Sequence, residues 1–83
     1  MKLTASGLEE RLVDFSVTVL TLVRDMSNIE GAKNLASQLS RSGATPALNY
    51  AEARGAESPC DFVHKLRICL KELRKTHVCL RII

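Results

Sequence analysis

A chain of 83 residues has room for one domain, and at this size folding buries only about 60–65% of the surface the unfolded chain exposes, so intrinsic stability is modest. With 46% apolar and 25% charged residues, four glycines and two prolines, the composition excludes a disordered tail, and the scarcity of aromatics leaves Leu, Val and Ala to fill a core. The formal charge of +3 is uneven: residues 1–57 carry six Lys/Arg against seven Asp/Glu (net −1), and residues 58–83 carry six against two (net +4), so the basic character belongs to the end of the chain.

No apolar run approaches the roughly 20 residues a membrane crossing needs, and the opening stretch MKLTASGLEE lacks the hydrophobic core of a secretion signal, so a cytoplasmic location is expected. Cys60, Cys69 and Cys79 all fall in the last expected helix, with neighbours about 14–15 Å apart along its axis, too far for a disulfide. They read as reduced thiols that pack as small hydrophobes.

In chain order, the first helix is predicted over Leu8 to Met26, with Ser6 as N-cap and Glu9 and Glu10 beside the positive end of the helix dipole. Leu8, Leu12, Phe15, Val19, Leu22 and Met26 step by fours and threes, the spacing of a bundle seam. Val13, Val17, Leu20 and Val23 widen this apolar arc to roughly 220° at 100° per residue, more than one packing neighbourhood requires. Few helices are available to surround it within the chain, so self-association through Val13, Val17 and Leu20 is expected.

Ser27, Asn28 and Gly31 mark a turn, and Ala32, Leu35, Ala36 and Leu39 give a second, shorter stripe ending near Ser42 or Gly43. Thr45 and Pro46 read as an N-cap and first-turn proline that open a segment running to Gly55, either a separate helix or a continuation of the second after a kink. Ser58, Pro59 and Asp61 repeat that start signal more strongly, with an acid at the third helical position as in a capping box. In the helix that follows, Phe62, Val63, Leu66, Cys69, Leu70, Leu73, His77 and Leu80 fall within an arc of about 120°, outside which lie Lys65, Arg67, Lys71, Arg74 and Lys75. Asp61 and Lys65 form an acid-first pair one turn apart. The expected fold is a single all-α domain, an up-and-down antiparallel bundle of three to four helical segments, without internal repeat or domain linker.

The stretch QLSRSGATPALNYAEARGAESPCDFVHKLRICLKELRKTHVCL, Gln38 to Leu80, about half of the chain, carries Arg41-Ser42-Gly43, Asn49 and Glu52 followed by Gly55, then Asp61-Phe62 opening a helix with Leu66, Leu70 and Leu73. These motifs resemble the bacterial four-helix-bundle proteins known as 23S rRNA intervening-sequence proteins. The resemblance implies an antiparallel bundle of uncertain biochemical role and homo-oligomers, with pentameric rings a known form. It also brings in the accessory factor of diversity-generating retroelements, a basic bundle that works with a reverse transcriptase and nucleic acid. Two departures stand out: Cys79 replaces a frequent large aromatic, and the chain stops at Ile83 where the family continues into a final helix. Either the sequence is truncated or a three-segment version covers its open seam by oligomerising.

Candidate chemistry is thin. Asn49 and Glu52 share a face otherwise lined with Ala, Leu and Tyr, where a buried carboxylate needs a partner such as Arg41 or an arginine from another subunit. No second carboxylate, nucleophile or ligand set accompanies Glu52, so a polar pair fixing bundle register is favoured over a general base, and no enzymatic activity is expected. Cys60 and His64 at i,i+4 offer half a zinc site, but Cys69, His77 and Cys79 point elsewhere, so no metal or other cofactor is expected. His77, inside the apolar arc, reads as a core or interface histidine. The basic face of the last helix suits an RNA or DNA backbone, yet lacks aromatic interleaving and equally fits a solvated helix surface. No membrane contact or small-molecule substrate is inferred. The leading expectation is a self-associating assembly module, with sequence-nonspecific nucleic-acid binding as the alternative.

Overall fold

The computed structural model describes residues 4–26 and 28–83 and forms them into three α-helices, α1 (Ala5–Met26), α2 (Lys33–Arg54) and α3 (Pro59–Ile82), with no strand among the described residues. Ser27, read above as part of the turn after the first helix, lies outside them. No helix among them is long and apolar enough to cross a membrane.

Helix α1 starts earlier than expected because its cap is Thr4, not Ser6. The Gly7 amide donates to Thr4 Oγ1 at 3.0 Å, the hydroxyl-to-third-amide bond of an N-cap, and Ser6 joins the first turn. The link to α2 turns at Gly31, whose φ of 87° is a left-handed conformation that glycine adopts without strain.

The apparent restart at Thr45-Pro46 is overridden: α2 runs unbroken from Lys33 to Arg54 with Pro46 inside it. Thr45 does not cap anything; its hydroxyl donates to the Arg41 carbonyl one turn back at 2.6 Å. Pro46 is fully buried, and its carbonyl accepts from the Cys69 thiol of α3 at 3.4 Å. An interior proline forfeits one helical hydrogen bond, and here tertiary packing on both sides of α2 outweighs that loss. The start of α3 follows its signal closely. Ser58, in extended conformation, accepts from the Asp61 amide at 3.1 Å, and Pro59 occupies the first turn, where no amide is missed.

The helices run up and down, with α2 in the middle. Along α1 and α2, Arg54 meets Glu9 at 3.3 Å at one end, Gly43 faces Val19 midway, and Ala36 packs with Met26 at the other. Along α2 and α3, Glu52 meets Lys65, Pro46 meets Cys69, and Ser42 meets Thr76. Among the described residues no Cα of α1 comes within 8 Å of one in α3. The three helices therefore occupy three corners of a bundle cross-section and leave the fourth open.

What lets both neighbours approach α2 is the smallness of its buried residues: Ala36, Ser42, Gly43 and Ala53, together with Leu39, Pro46 and Tyr50. At Gly43 the approach is close enough that an added Cβ would lie 2.5 Å from Val19 Cγ1. Ser16 Oγ, one turn before Val19, sits 2.8 Å from the Gly43 carbonyl and 3.0 Å from that of Leu12, so its single proton serves a contact between helices as well as one within α1. On the other side of α2, the hydroxyls of Thr76 and Ser42 pair at 2.9 Å, both fully buried.

Candidate self-association surface

Among the exposed apolar side chains of the described residues, two groupings bear on self-association. The first is the outer stripe of α1, where Val13, Val17 and Leu20 are 40%, 59% and 41% exposed. The fourth residue of the widened arc, Val23, is instead half-buried against the core. Helical geometry accounts for the split: at 100° per residue Val23 lies close to Leu12 and Val19, whereas Val13, Val17 and Leu20 lie roughly 80–160° away. Next to the stripe, the hydroxyls of Thr18 and Thr21 donate to carbonyls one turn back, at 3.0 and 2.8 Å, so they are satisfied within the helix.

The second surface is a groove at the open corner between α1 and α3. It encloses about 330 Å³ and is lined by Leu8, Leu12, Tyr50, Leu66, Cys69, Leu70 and Leu73. Its origin lies in how α3 is rotated. The face of α3 that meets the rest of the chain centres on Cys69, Thr76 and Cys79, turned by roughly 80° about the helix axis from the arc expected from apolar spacing. Val63 and Leu70 consequently stand at the open edge, 44% and 54% exposed. His77 is exposed as well, which removes the core half of its reading as a core or interface histidine. Thr76, polar and therefore passed over in the sequence, takes the central buried place.

The polar residues of the junction are dispersed. Arg41 is exposed; Asn49 is half-buried and donates to the Thr45 carbonyl of its own helix at 3.0 Å. Glu52 is not the buried carboxylate expected: its side chain is 60% exposed, and its partner is Lys65 of α3 at 2.8 Å rather than Arg41. That carboxylate, through its hydrogen bond and then its charge, raises the Lys65 ammonium above its ordinary value. Lys65 thus turns toward α2, with Glu52 instead of Asp61 as its close partner.

The five basic residues read as one face do not act as one. Lys65 is engaged by Glu52, and Lys75 by Glu72 at 3.4 Å. Arg67, Lys71 and Arg74 are exposed, as is Arg81, which the sequence reading did not single out. Of the cysteines, Cys60 is exposed, whereas Cys69 and Cys79 are buried, and burial pushes the Cys69 thiol up from its ordinary value. Among the described residues no three His, Cys, Asp or Glu side chains gather in a group able to hold a metal ion.

This three-cornered arrangement has a counterpart among solved structures. The crystal structure of a protein of unknown function from the S23 ribosomal protein family of Bacteroides thetaiotaomicron VPI-5482 superimposes with a TM-score of 0.88 and 29% sequence identity. The chain shares the fold of an S23 ribosomal protein family member. The superposition covers 94% of this chain and 70% of that one. No protein-family model matches the chain, and no curated protein does.

Proposed function

We propose that the chain is a non-enzymatic, self-associating helical module of the 23S rRNA intervening-sequence type, whose biochemical role is carried by its assembled form. The observation that carries this reading is the pair of uncovered apolar surfaces, the α1 stripe of Val13, Val17 and Leu20 and the leucine-lined groove between α1 and α3. Exposed apolar side chains are individually ordinary, but contiguous stripes continuous with a core mark sites of association. The likeness to an S23 ribosomal protein family member supports the bundle type, and that neighbour's function is itself unknown. Multi-angle light scattering on the purified chain at tens of micromolar tests the reading: a mass above the 9.2 kDa of one chain is expected, and a clean monomer refutes it.

A second reading has a specific observation in its favour. Among the described residues, no carboxylate forms an ion pair with Arg67, Lys71, Arg74 or Arg81, which leaves four cations on α3 available to a phosphate backbone. Binding of this kind is insensitive to sequence and weakens steeply with salt, by about 0.9 decades per decade of salt for each phosphate neutralised. Neutralising Lys71 and Arg74 would lower that slope; no retention of RNA or DNA at low salt removes the reading.

A further inference from the structure

We propose that the bundle carries a built-in hinge at the level of Ser42 to Pro46, where all three helices are weakened together and buried hydrogen bonds from α1 and α3 hold the two halves in line. The hinge is independent of how the chain associates.

The core is divided at that level. Val19, Met26, Ala36, Leu39 and Cys79 form one buried cluster, and Leu12, Tyr50 and Cys69 form another. Along α1 the boundary falls between Leu12 and Val19, along α2 between Leu39 and Tyr50, and along α3 between Cys69 and Cys79. Among the described residues the buried polar side chains are Ser16, Ser42 and Thr76, and each lies in one of those intervals. A polar layer therefore crosses all three helices and separates two apolar half-cores.

At this layer each helix loses stiffness in its own way. Pro46 has no amide to donate to the Ser42 carbonyl, so α2 lacks one rung of its ladder. Ser16 Oγ reaches the Leu12 carbonyl at 3.0 Å and Thr76 Oγ1 reaches the Glu72 carbonyl at 2.9 Å. Hydroxyls that bond one turn back often bend the helix that carries them. The same side chains also hold the layer closed. Ser16 Oγ lies 2.8 Å from the Gly43 carbonyl, the Thr76 and Ser42 hydroxyls pair at 2.9 Å, and the Cys69 thiol donates to the Pro46 carbonyl at 3.4 Å. Contacts from both neighbours thus converge on the stretch of α2 that is missing a rung. A layer that only set helix register would need the cross-helix bonds but not the weakness beside them.

Opening these bonds lets the two half-cores tilt against each other while the apolar packing within each is kept. Ser16 also divides the outer stripe of α1, with Val13 before it and Val17 and Leu20 after it. Tilting therefore changes the curvature of that exposed surface.

Native-state hydrogen exchange on the full chain tests the hinge, followed by NMR at one protein concentration in low urea. The amides of residues 47–49 donate one turn back, to carbonyls within the layer. Those of Leu39 and Leu12 report on the two half-cores. An opening confined to the layer exposes little surface, so exchange at 47–49 is faster than at Leu39 and Leu12 and nearly independent of urea. Exchange at Leu39 and Leu12 follows the steep urea dependence of global unfolding. Ser16→Ala on α1 and Thr76→Val on α3, each first checked for the parent's helical circular dichroism, remove one latch apiece. Each raises exchange at 47–49 of α2 by about fivefold, the loss of one net hydrogen bond, and the urea dependence stays shallow. Thr76→Ser keeps the hydroxyl and exchanges there as the parent does. If residues 47–49 of the parent exchange with the rate and urea dependence of Leu39 and Leu12, the layer opens only by global unfolding and the proposal is overturned. Shallow exchange at 47–49 that either latch variant leaves unchanged is fraying of α2 at Pro46 alone, and overturns it as well.

Discussion

Gly43 is where the structure makes its sharpest demand on a single side chain. A Cβ there would lie 2.5 Å from Val19 Cγ1 and 3.0 Å from Val19 Cβ. A valine in a helix has essentially one χ1 rotamer, and its Cβ is fixed to the backbone, so α1 itself must move away from α2. For Gly43→Ala, overpacking of this kind costs about 1–3 kcal/mol, and loosening the Ser16 hydroxyl from the Gly43 carbonyl costs about 1 kcal/mol more. The gain in helix propensity offsets about 1 kcal/mol. A net loss of about 1–3 kcal/mol is expected, and each kcal/mol lowers the midpoint of a domain this small by about 4–8 °C. The assay is thermal and urea unfolding followed by circular dichroism, at one protein concentration throughout so that any mass-action contribution is the same for parent and variant. Val19→Ala in the same background removes the clashing Cγ1 methyl and leaves only the Cβ contact at 3.0 Å, so the double variant should recover about 1 kcal/mol relative to additivity. If Gly43→Ala melts at or above the parent temperature, propensity has won and the close helix approach is refuted.

Thr76→Val keeps the shape of a fully buried residue but leaves Ser42 Oγ without its inter-helix partner, so a loss of about 1–2 kcal/mol is expected in the same melts, and an unchanged midpoint would show the pair to be dispensable. Glu52→Gln should leave both melting temperature and assembly as in the parent, because its ion pair with Lys65 is solvated; a large drop would restore the idea that Glu52 fixes bundle register. Thiol titration of the native chain should show Cys60 reacting fast and Cys69 and Cys79 only on unfolding, and three fast thiols would contradict their burial. Because burial raises the Cys69 thiol above its ordinary value of 9.0, its contribution favours the folded state below that pH and is lost as pH rises through the raised value.

Much of the scaffold was legible because its signals are local. The seam of α1 from Leu8 to Met26 and the start of α3 at Ser58-Pro59 depend on periodicity and capping, which the chain displays within one or two turns. Thr45-Pro46 carries the same local chemistry as Ser58-Pro59 yet starts nothing. The difference is tertiary: Gly43 and Pro46 sit between α1 and α3, and the packing they allow keeps α2 continuous, a fact no window around Pro46 contains. The packed face of α3 was hidden for a related reason. Apolar spacing pointed to Leu66, Leu70 and Leu73, whereas the chain's own neighbour, α2, meets Cys69, Thr76 and Cys79. At the junction, Arg41, Asn49 and Glu52 gave a strong family pattern, but their separate destinations, solvent, a carbonyl of α2 and Lys65, depend on helix orientation.

That rotation of α3 also says why the chain looks outward. A three-helix bundle that satisfied itself would turn its largest apolar side chains toward the common centre. Midway along α2 the contacts are made by small or weakly polar groups, Ser16 and Val19 from α1 and Cys69 and Thr76 from α3, because α2 presents Ser42, Gly43 and Pro46 to them. The close approach around Gly43 and Pro46 leaves little volume for large side chains at those two positions, while Leu39 and Tyr50 fill the space on either side. Leu8, Leu66, Leu70 and Leu73 therefore converge on the open corner, where their burial is incomplete. Filling α2 with larger residues to bury them internally would push α1 and α3 apart and close no groove. The small residues of α2 and the incompletely buried leucines are thus two consequences of one packing arrangement.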